Sequence, residues 1–600
     1  MSTSVKAAVP TLPRKFQPDV DPWQLQMPGF NLPLNVPPTS EYGRNRVGFT
    51  NALDPHDLND HYLDYVATTR EITMMRIMNT ISDKPEWQRK VFDEDIVAKW
   101  RDEITKSGQD VSEKMMDFVI KEMRWKAGLM EKTNYVQVFD DGVVKSDAAI
   151  SKDNQAALKQ AVIPLEDVPE EQRDYHPGSD GKVVDLVHPS LFPLVFGRTR
   201  VIPDRVLALD DALKNTEECE VLPVPDDSDC PPVKSTGGWG SRSLHPNAFS
   251  TKFQWLPCDV EYTKEGKCNI LSYINNAHPT KHRAIYDVVE KILAQTFPLW
   301  ERSLTEKEWK GERIPYKRVE YEDDSDDEPE IPEDCTMEEE DVYAERRDAW
   351  WKARKIKQPE PRDFKIPKSD DVVLREKFPE QHFQVIVKLA NIQLTPESPD
   401  YEGGAWHIEG QLNERIAASA IYYYDSENIT SSALAFRHRG VDMYLDDLGY
   451  EQDQHEFLQQ VYGHPDEVDG HNDAHITQEL GSVLCDEGRL ITFPNTLQHR
   501  VLPFSLADAS KPGHRKILAL FLIDPHRRII STANVPPQQE HWCSNPPTGT
   551  KRKRTADSES ATMTMEEAKA YRLELMEERG LRAEQQNVAY EEGAFGLCEH

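Results

Sequence analysis

Seven short segments between residues 383 and 523 are rich in β-branched and aromatic residues, with Pro, Gly, Asp or Asn in the stretches between them. They fall at 383–390, 405–409, 418–424, 434–437, 489–493, 500–504 and 516–523. Strands this short find no core singly. Packed as two antiparallel sheets they bury both inner faces, and a double-sheet jelly roll also protects most of their edges. The expected fold class is α+β: a C-terminal double-stranded β-helix with a large, mainly helical N-terminal region packed on it.

Two of these segments carry chemistry. In a strand at 405–409, His407 and Glu409 project from one face and Ile408 from the other. Far along the chain, Gln498–His499–Arg500–Val501 offers a second histidine. Two imidazoles and one carboxylate on one side of a divalent ion leave its other positions open for substrates and dioxygen. His407, Glu409 and His499 are therefore the candidate metal ligands and catalytic residues. A single His-x-Glu pair is a common accident among 19 histidines and could be a surface hydrogen-bonding pair. The strand-like setting of all three residues favours the metal.

The rest of the chain divides by composition. Prolines at 10, 13, 18, 22, 28, 33, 37 and 38 make residues 1–40 an extended lead-in. Over 41–318, Tyr62 to Met78, Ile96 to Trp100 and Met115 to Met123 place apolar residues every three or four positions, the mark of packing helices. A hairpin around Asp140–Asp141–Gly142 interrupts them, and Ile285, Val288, Val289, Ile292, Leu293 and Phe297 trace one face of a further helix. Residues 319–342 are an acidic segment expected to be disordered, with 14 Asp or Glu among the 22 positions from Glu320 to Asp341. A helix over 344–355 then leads into the jelly-roll domain, 343–540. Residues 541–600 hold a linker, the basic cluster Lys551–Arg552–Lys553–Arg554, and a charged helix over 563–582. Its apolar stripe, Met565, Ala568, Leu575 and Met576, is thin, which suits a partner-binding or dangling helix better than a core element. His455, His464, His471 and His475 lie in a polar insertion between Leu445 and Glu479. A zinc site is conceivable there, but solvated loop histidines fit better because no cysteine accompanies them.

The formal charge of −34 repels nucleic acid and anionic membrane surfaces, so neither is an expected direct partner. No apolar run reaches the roughly 20 residues of a membrane span. The eight cysteines are scattered without a C-x-x-C pair, which suits reduced thiols in cytoplasm or nucleus. The basic cluster at 551–554 is a candidate nuclear import signal.

These residues carry two resemblances. The chain from about Pro28 to beyond Pro537 resembles a fungal family catalogued only as a domain of unknown function, through 186–200, Phe253–Gln254–Trp255–Leu256–Pro257, Ser272–Tyr273–Ile274–Asn275–Asn276, Trp406–His407–Ile408–Glu409–Gly410 and 524–537. Its C-terminal part resembles the iron(II)- and 2-oxoglutarate-dependent dioxygenases. That likeness implies iron(II) held by His407, Glu409 and His499, 2-oxoglutarate as co-substrate, and Arg515 of Gly513–His514–Arg515 gripping the far carboxylate, with Lys516 as the competing choice. A planar guanidinium suits the task because it pairs both carboxylate oxygens at once. Glu409 departs from the commoner aspartate. Jumonji-type relatives usually use a lysine between the ligands, and none lies between Glu409 and His499. The implied activity is oxidation of an unknown substrate, a small molecule or a protein side chain. The rival reading is a non-catalytic jelly-roll interaction protein acting through its acidic segment and its C-terminal helix.

Overall fold

In the computed structural model the described residues are 25–36, 48–59, 63, 65–214, 219–226, 233–234, 244–245, 248–305, 313–322, 329, 336–379, 381–440, 448–452, 454–465, 474–542, 561–593 and 595. Half of the acidic segment 319–342 and the whole basic cluster at 551–554 lie outside them, as does His471.

Six helices frame the site: α1 (Thr69–Ser82), α2 (Glu94–Lys106), α3 (Glu113–Thr133), α4 (Lys152–Glu166), α5 (Arg283–Leu304) and α6 (Met565–Glu591). Five start at a side-chain cap, from Thr68, Asp93, Ser112, Ser151 and Thr564, whose oxygens accept from backbone N–H groups of the first turn. The strands that matter are β1 (Val136–Phe139), β2 (Val143–Ser146), β3 (Val183–Val187), β4 (Cys258–Tyr262), β5 (Cys268–Ile270), β6 (Phe383–Leu394), β7 (Ile416–Glu427), β8 (Ala433–Arg439), β9 (Thr477–Leu484), β10 (Leu490–Pro494), β11 (Gln498–Val501) and β12 (Gly513–Ile523).

They form a nine-stranded sheet in the order β1-β2-β10-β7-β12-β6-β4-β5, with β3 also on β6, and a three-stranded sheet in the order β9-β8-β11. Every named pairing is antiparallel. One face of the large sheet presents Val387, Leu389, Leu518 and Leu520 to the apolar side of α5. The other face presents Ile421, Tyr423, Ile491 and Phe493, which share a core with Leu434, Phe436, Leu480 and Val483 of the small sheet and with α1 and α3. The molecule thus mixes helices with antiparallel sheet.

Three expectations change. The hairpin expected around Asp140–Asp141–Gly142 is β1 and β2, and the region before 318 also lends β3, β4 and β5 to the large sheet, so that sheet draws strands from both sides of residue 343. Residues 405–409 form no regular strand. They meet β11 through one bridge, in which the His407 N–H donates to the His499 carbonyl at 3.2 Å and the His499 N–H donates back at 3.1 Å. The helix α6 does not dangle: much of its stripe packs on the body of the protein, while Met565 at its start stays exposed. Ala568 and Leu575 are buried among Trp255, Ile386 and Phe521, and Arg572, Arg579 and Arg582 reach Asp174, Glu414 and the Phe249 carbonyl. β9 starts in the last residues of the segment expected to be a polar insertion and continues past Glu479 to Leu484. The expected helix at 344–355 runs over Met337–Ala353.

Candidate metal centre

The segment that carries His407 and Glu409 is held by backbone and side-chain bonds rather than by a sheet. Gly403 starts it at φ +90°, where a Cβ would lie 2.8 Å from the Val501 carbonyl, and the Gly404 N–H donates to that same carbonyl at 2.9 Å. Asn495, buried between β10 and β11, accepts from the Glu409 N–H at 3.2 Å and donates to the Glu409 carbonyl at 3.1 Å. Ile408 turns the other way, into apolar clusters with Leu58 and Leu412.

His407, Glu409 and His499 each offer a ligand atom, and these atoms all lie within 4.8 Å of one another. Glu409 Oε1 is 3.3 Å from His499 Nε2 and 3.7 Å from His407 Nε2. The His499 side chain is only 3% exposed and packs its ring 4.6 Å from Phe493, whereas His407 is 41% exposed, so one side of the triad is open. A carbonyl can only accept, so the contact of His407 Nδ1 with the Ala405 carbonyl at 2.9 Å fixes the proton on Nδ1 and leaves the Nε2 lone pair facing Glu409. Burial alone would raise the Glu409 carboxyl, but the two imidazoles hold it well below its ordinary value. Burial, reinforced by His407, lowers His499, so that ring is neutral. Burial pulls His407 down as well, yet Glu409 outweighs it and holds the ring above its ordinary value. An ionised carboxylate and a neutral imidazole are the forms a metal needs, and at His407 a metal would compete with a proton.

Among the described residues a second group, His176, Asp185 and His188, also clusters closely enough to suggest a metal. Its tautomer argues otherwise. The Ser190 N–H donates to His188 Nδ1 at 3.1 Å, which puts the proton of the neutral ring on Nε2, and burial keeps this ring well below its ordinary proton affinity. His176 Nδ1 meets Asp185 at 2.9 Å. This is a hydrogen-bonded cluster, and no sequence spacing linked His176 to it.

Arg515 lies on the face of β12 that looks into the space between the sheets, opposite Ile392. It is 2% exposed and sits over the rings of Phe504 at 4.8 Å and Tyr423 at 5.4 Å. Its Nε and Nη1 are buried without a hydrogen-bond partner. No carboxylate of the described residues pairs with it. Lys516 points to the opposite face, where Glu166 and Asp425 each accept from it at 3.1 Å. The two competing residues are thus separated: one is a paired cation on the outer face, the other a buried cation facing inward without an anion. Trp406 completes the surroundings, its ring between Arg437 at 4.7 Å and Arg500 at 4.5 Å.

The profile of a family described as "Protein of unknown function (DUF4246)" matches residues 113–546, and that of "Domain of unknown function DUF4246, N-terminal" matches residues 27–103. The chain belongs to this family. No curated protein matches it. Among solved structures it is similar to a bsmA homolog from Methylobium petroleophilum PM1, at 12% identity and a TM-score of 0.14 over 24% of this chain and 42% of that one. The Fe(II)/(alpha)ketoglutarate-dependent dioxygenase TqaL matches at 12% identity and a TM-score of 0.16, over 26% of this chain and 46% of that one. IDO from Bacillus thuringiensis matches at 7% identity and a TM-score of 0.20, over 66% of this chain and 93% of that one. The chain spans less than half the length of the first two, and likeness at this level leaves function to the site itself. Among the described residues no helix is long and apolar enough to cross a membrane.

Proposed function

We propose that the protein is an iron(II)- and 2-oxoglutarate-dependent dioxygenase acting on an unidentified substrate, and that its two facing sheets form a double-stranded β-helix. The observation that carries this reading is the buried, unpartnered guanidinium of Arg515, which lies over Tyr423 in the same inter-sheet core whose Phe493 packs against the His499 ring. A buried cation without an anion is costly to keep, and a ligand carboxylate is the natural compensation.

His407, Glu409 and His499 would hold the ion, with Glu409 ionised, the His407 Nδ1–H donating to the Ala405 carbonyl, and the exposed edge of His407 leaving access. The chemistry such an ion supplies when bound is activation of dioxygen coupled to oxidative decarboxylation of 2-oxoglutarate. Arg515 would grip the far carboxylate of the co-substrate, while Tyr423 and Phe504 keep water from that pair and so strengthen it. Protein loaded anaerobically with iron(II) should release succinate from 2-oxoglutarate once oxygen is admitted, and His407→Ala should abolish the release. Iron binding that survives loss of both His407 and His499 would sink the assignment.

A further inference from the structure

The helix α6 lies outside residues 113–546 matched by the family profile, yet it touches both ligand-bearing segments beside the ligands themselves. Asn587 Nδ2 donates to the carbonyl of Trp406, the residue before His407, at 3.0 Å. Asn587 Oδ1 accepts from Nε2 of Gln498, the residue before His499, at 2.8 Å. One side chain therefore bridges the two arms of the triad. Around it, the Tyr590 hydroxyl donates to the Thr496 carbonyl at 2.8 Å, Arg437 Nε donates to Gln498 Oε1 at 2.6 Å, and Arg437 pairs with Glu591. This support is needed locally, because the 403–409 segment has one bridge to β11 and no ladder to fix the pitch of His407 and Glu409.

We propose that α6 is a positioning element of the metal site, with Asn587 the staple that sets the separation of His407 and His499, so that docking of the helix and binding of the metal are one coupled equilibrium. This rests on the metal reading above. Groups that orient first ligands through hydrogen bonds typically govern affinity by about 10–100-fold. Coupling is reciprocal: whatever docked α6 adds to metal affinity, bound metal returns to the docking of α6.

Full-length protein titrated with cobalt(II), followed by the visible absorption of the bound ion, tests this without turnover. Asn587→Ala should bind cobalt(II) roughly 10–100-fold more weakly at unchanged stoichiometry. Asn587→Ser, which keeps one donor and acceptor, should fall between. Amide exchange across 565–591 in the wild type should slow when cobalt(II) is added, a readout independent of any variant's folding. A merely structural role for Asn587 would lower the melting temperature of the metal-free protein and leave cobalt affinity and spectrum unchanged; that result, or exchange in α6 indifferent to the ion, overturns the proposal alone. Wild-type protein that binds no cobalt(II), or binds it equally after His407→Ala, removes the metal reading and this inference with it.

Discussion

Replacing Arg515 by methionine should move stability and ligand binding in opposite directions. In the ligand-free protein two of its nitrogens are buried without a partner, and each such donor costs about 1–3 kcal/mol. The flanking Phe504 and Tyr423 rings return about 0.5–1 kcal/mol each as cation–π contacts. Methionine has similar length, fills the same space and needs no partner, so Arg515→Met should leave the metal-free fold more stable by about 2 kcal/mol. The same change removes a charge-assisted pair from the co-substrate. At about 1.5–3 kcal/mol for each bond to a charged group, a bidentate pair is worth roughly 3–6 kcal/mol, or about two to four and a half decades of affinity. Urea unfolding of the metal-free protein gives the first quantity, and titration of manganese(II)-loaded protein with 2-oxoglutarate under argon gives the second. An Arg515→Met protein that is less stable than wild type and binds 2-oxoglutarate equally well would refute the reasoning, since the guanidinium would then be serving the fold.

Two further predictions concern the fold around the site. Burial lowers the buried His464 to about 4 from an ordinary 6.5, with His438 and His475 adding to the effect. Because the unfolded chain takes up the proton first, the stability this ring contributes is complete above about pH 6.5 and is lost as pH falls toward 4, by about 3 kcal/mol; His464→Phe should flatten that part of the urea-stability profile by the same amount. Gly403→Ala places a Cβ against the Val501 carbonyl at a positive φ, so it should cost about 2 kcal/mol in urea and weaken cobalt(II) binding by displacing the ligand segment.

The ligand residues are legible in the sequence because their chemistry is local. His407 and Glu409 stand two apart, and His499 follows a strand with its own turn signal. Arg515 is also legible as a position, but its burial without an anion appears only when β12 is seen beside Phe504 and Tyr423. The departure of 405–409 from a strand comes from Gly403, whose positive φ and close approach to Val501 bend the segment away from a ladder. β9 hides in Thr477–Leu484 because polar Gln478, Glu479 and Ser482 interrupt its apolar residues. The β1–β2 hairpin is legible from its Asp140–Asp141–Gly142 turn, whereas β3, β4 and β5 are three to five residues long, too short for an alternating pattern to stand out, and β3 and β4 find their partner β6 far along the chain. The docking of α6 escapes a hydrophobicity reading for a different reason: arginines and one asparagine do much of the holding.

The hairpin of β1 and β2 has a consequence for how the chain is made. Val144 finds its register partner, Thr492, only after several hundred further residues have been synthesised, a wait on the order of tens of seconds at about 5–20 residues per second. During that wait β2 offers a bare strand edge whose side chains are all destined for burial, the kind of edge on which nascent chains associate. Lys145 stands in the middle of it. In the finished protein its ammonium is buried against Asp83 at 2.5 Å and Asn79 at 2.9 Å, with burial lowering its pKa to about 8. Asn79 of α1 and Asp83 precede β2 in the chain, so only their docking is awaited; before it, a charged lysine there makes sheet pairing with a neighbouring chain unfavourable, and after it the same side chain locks β2 against the helix.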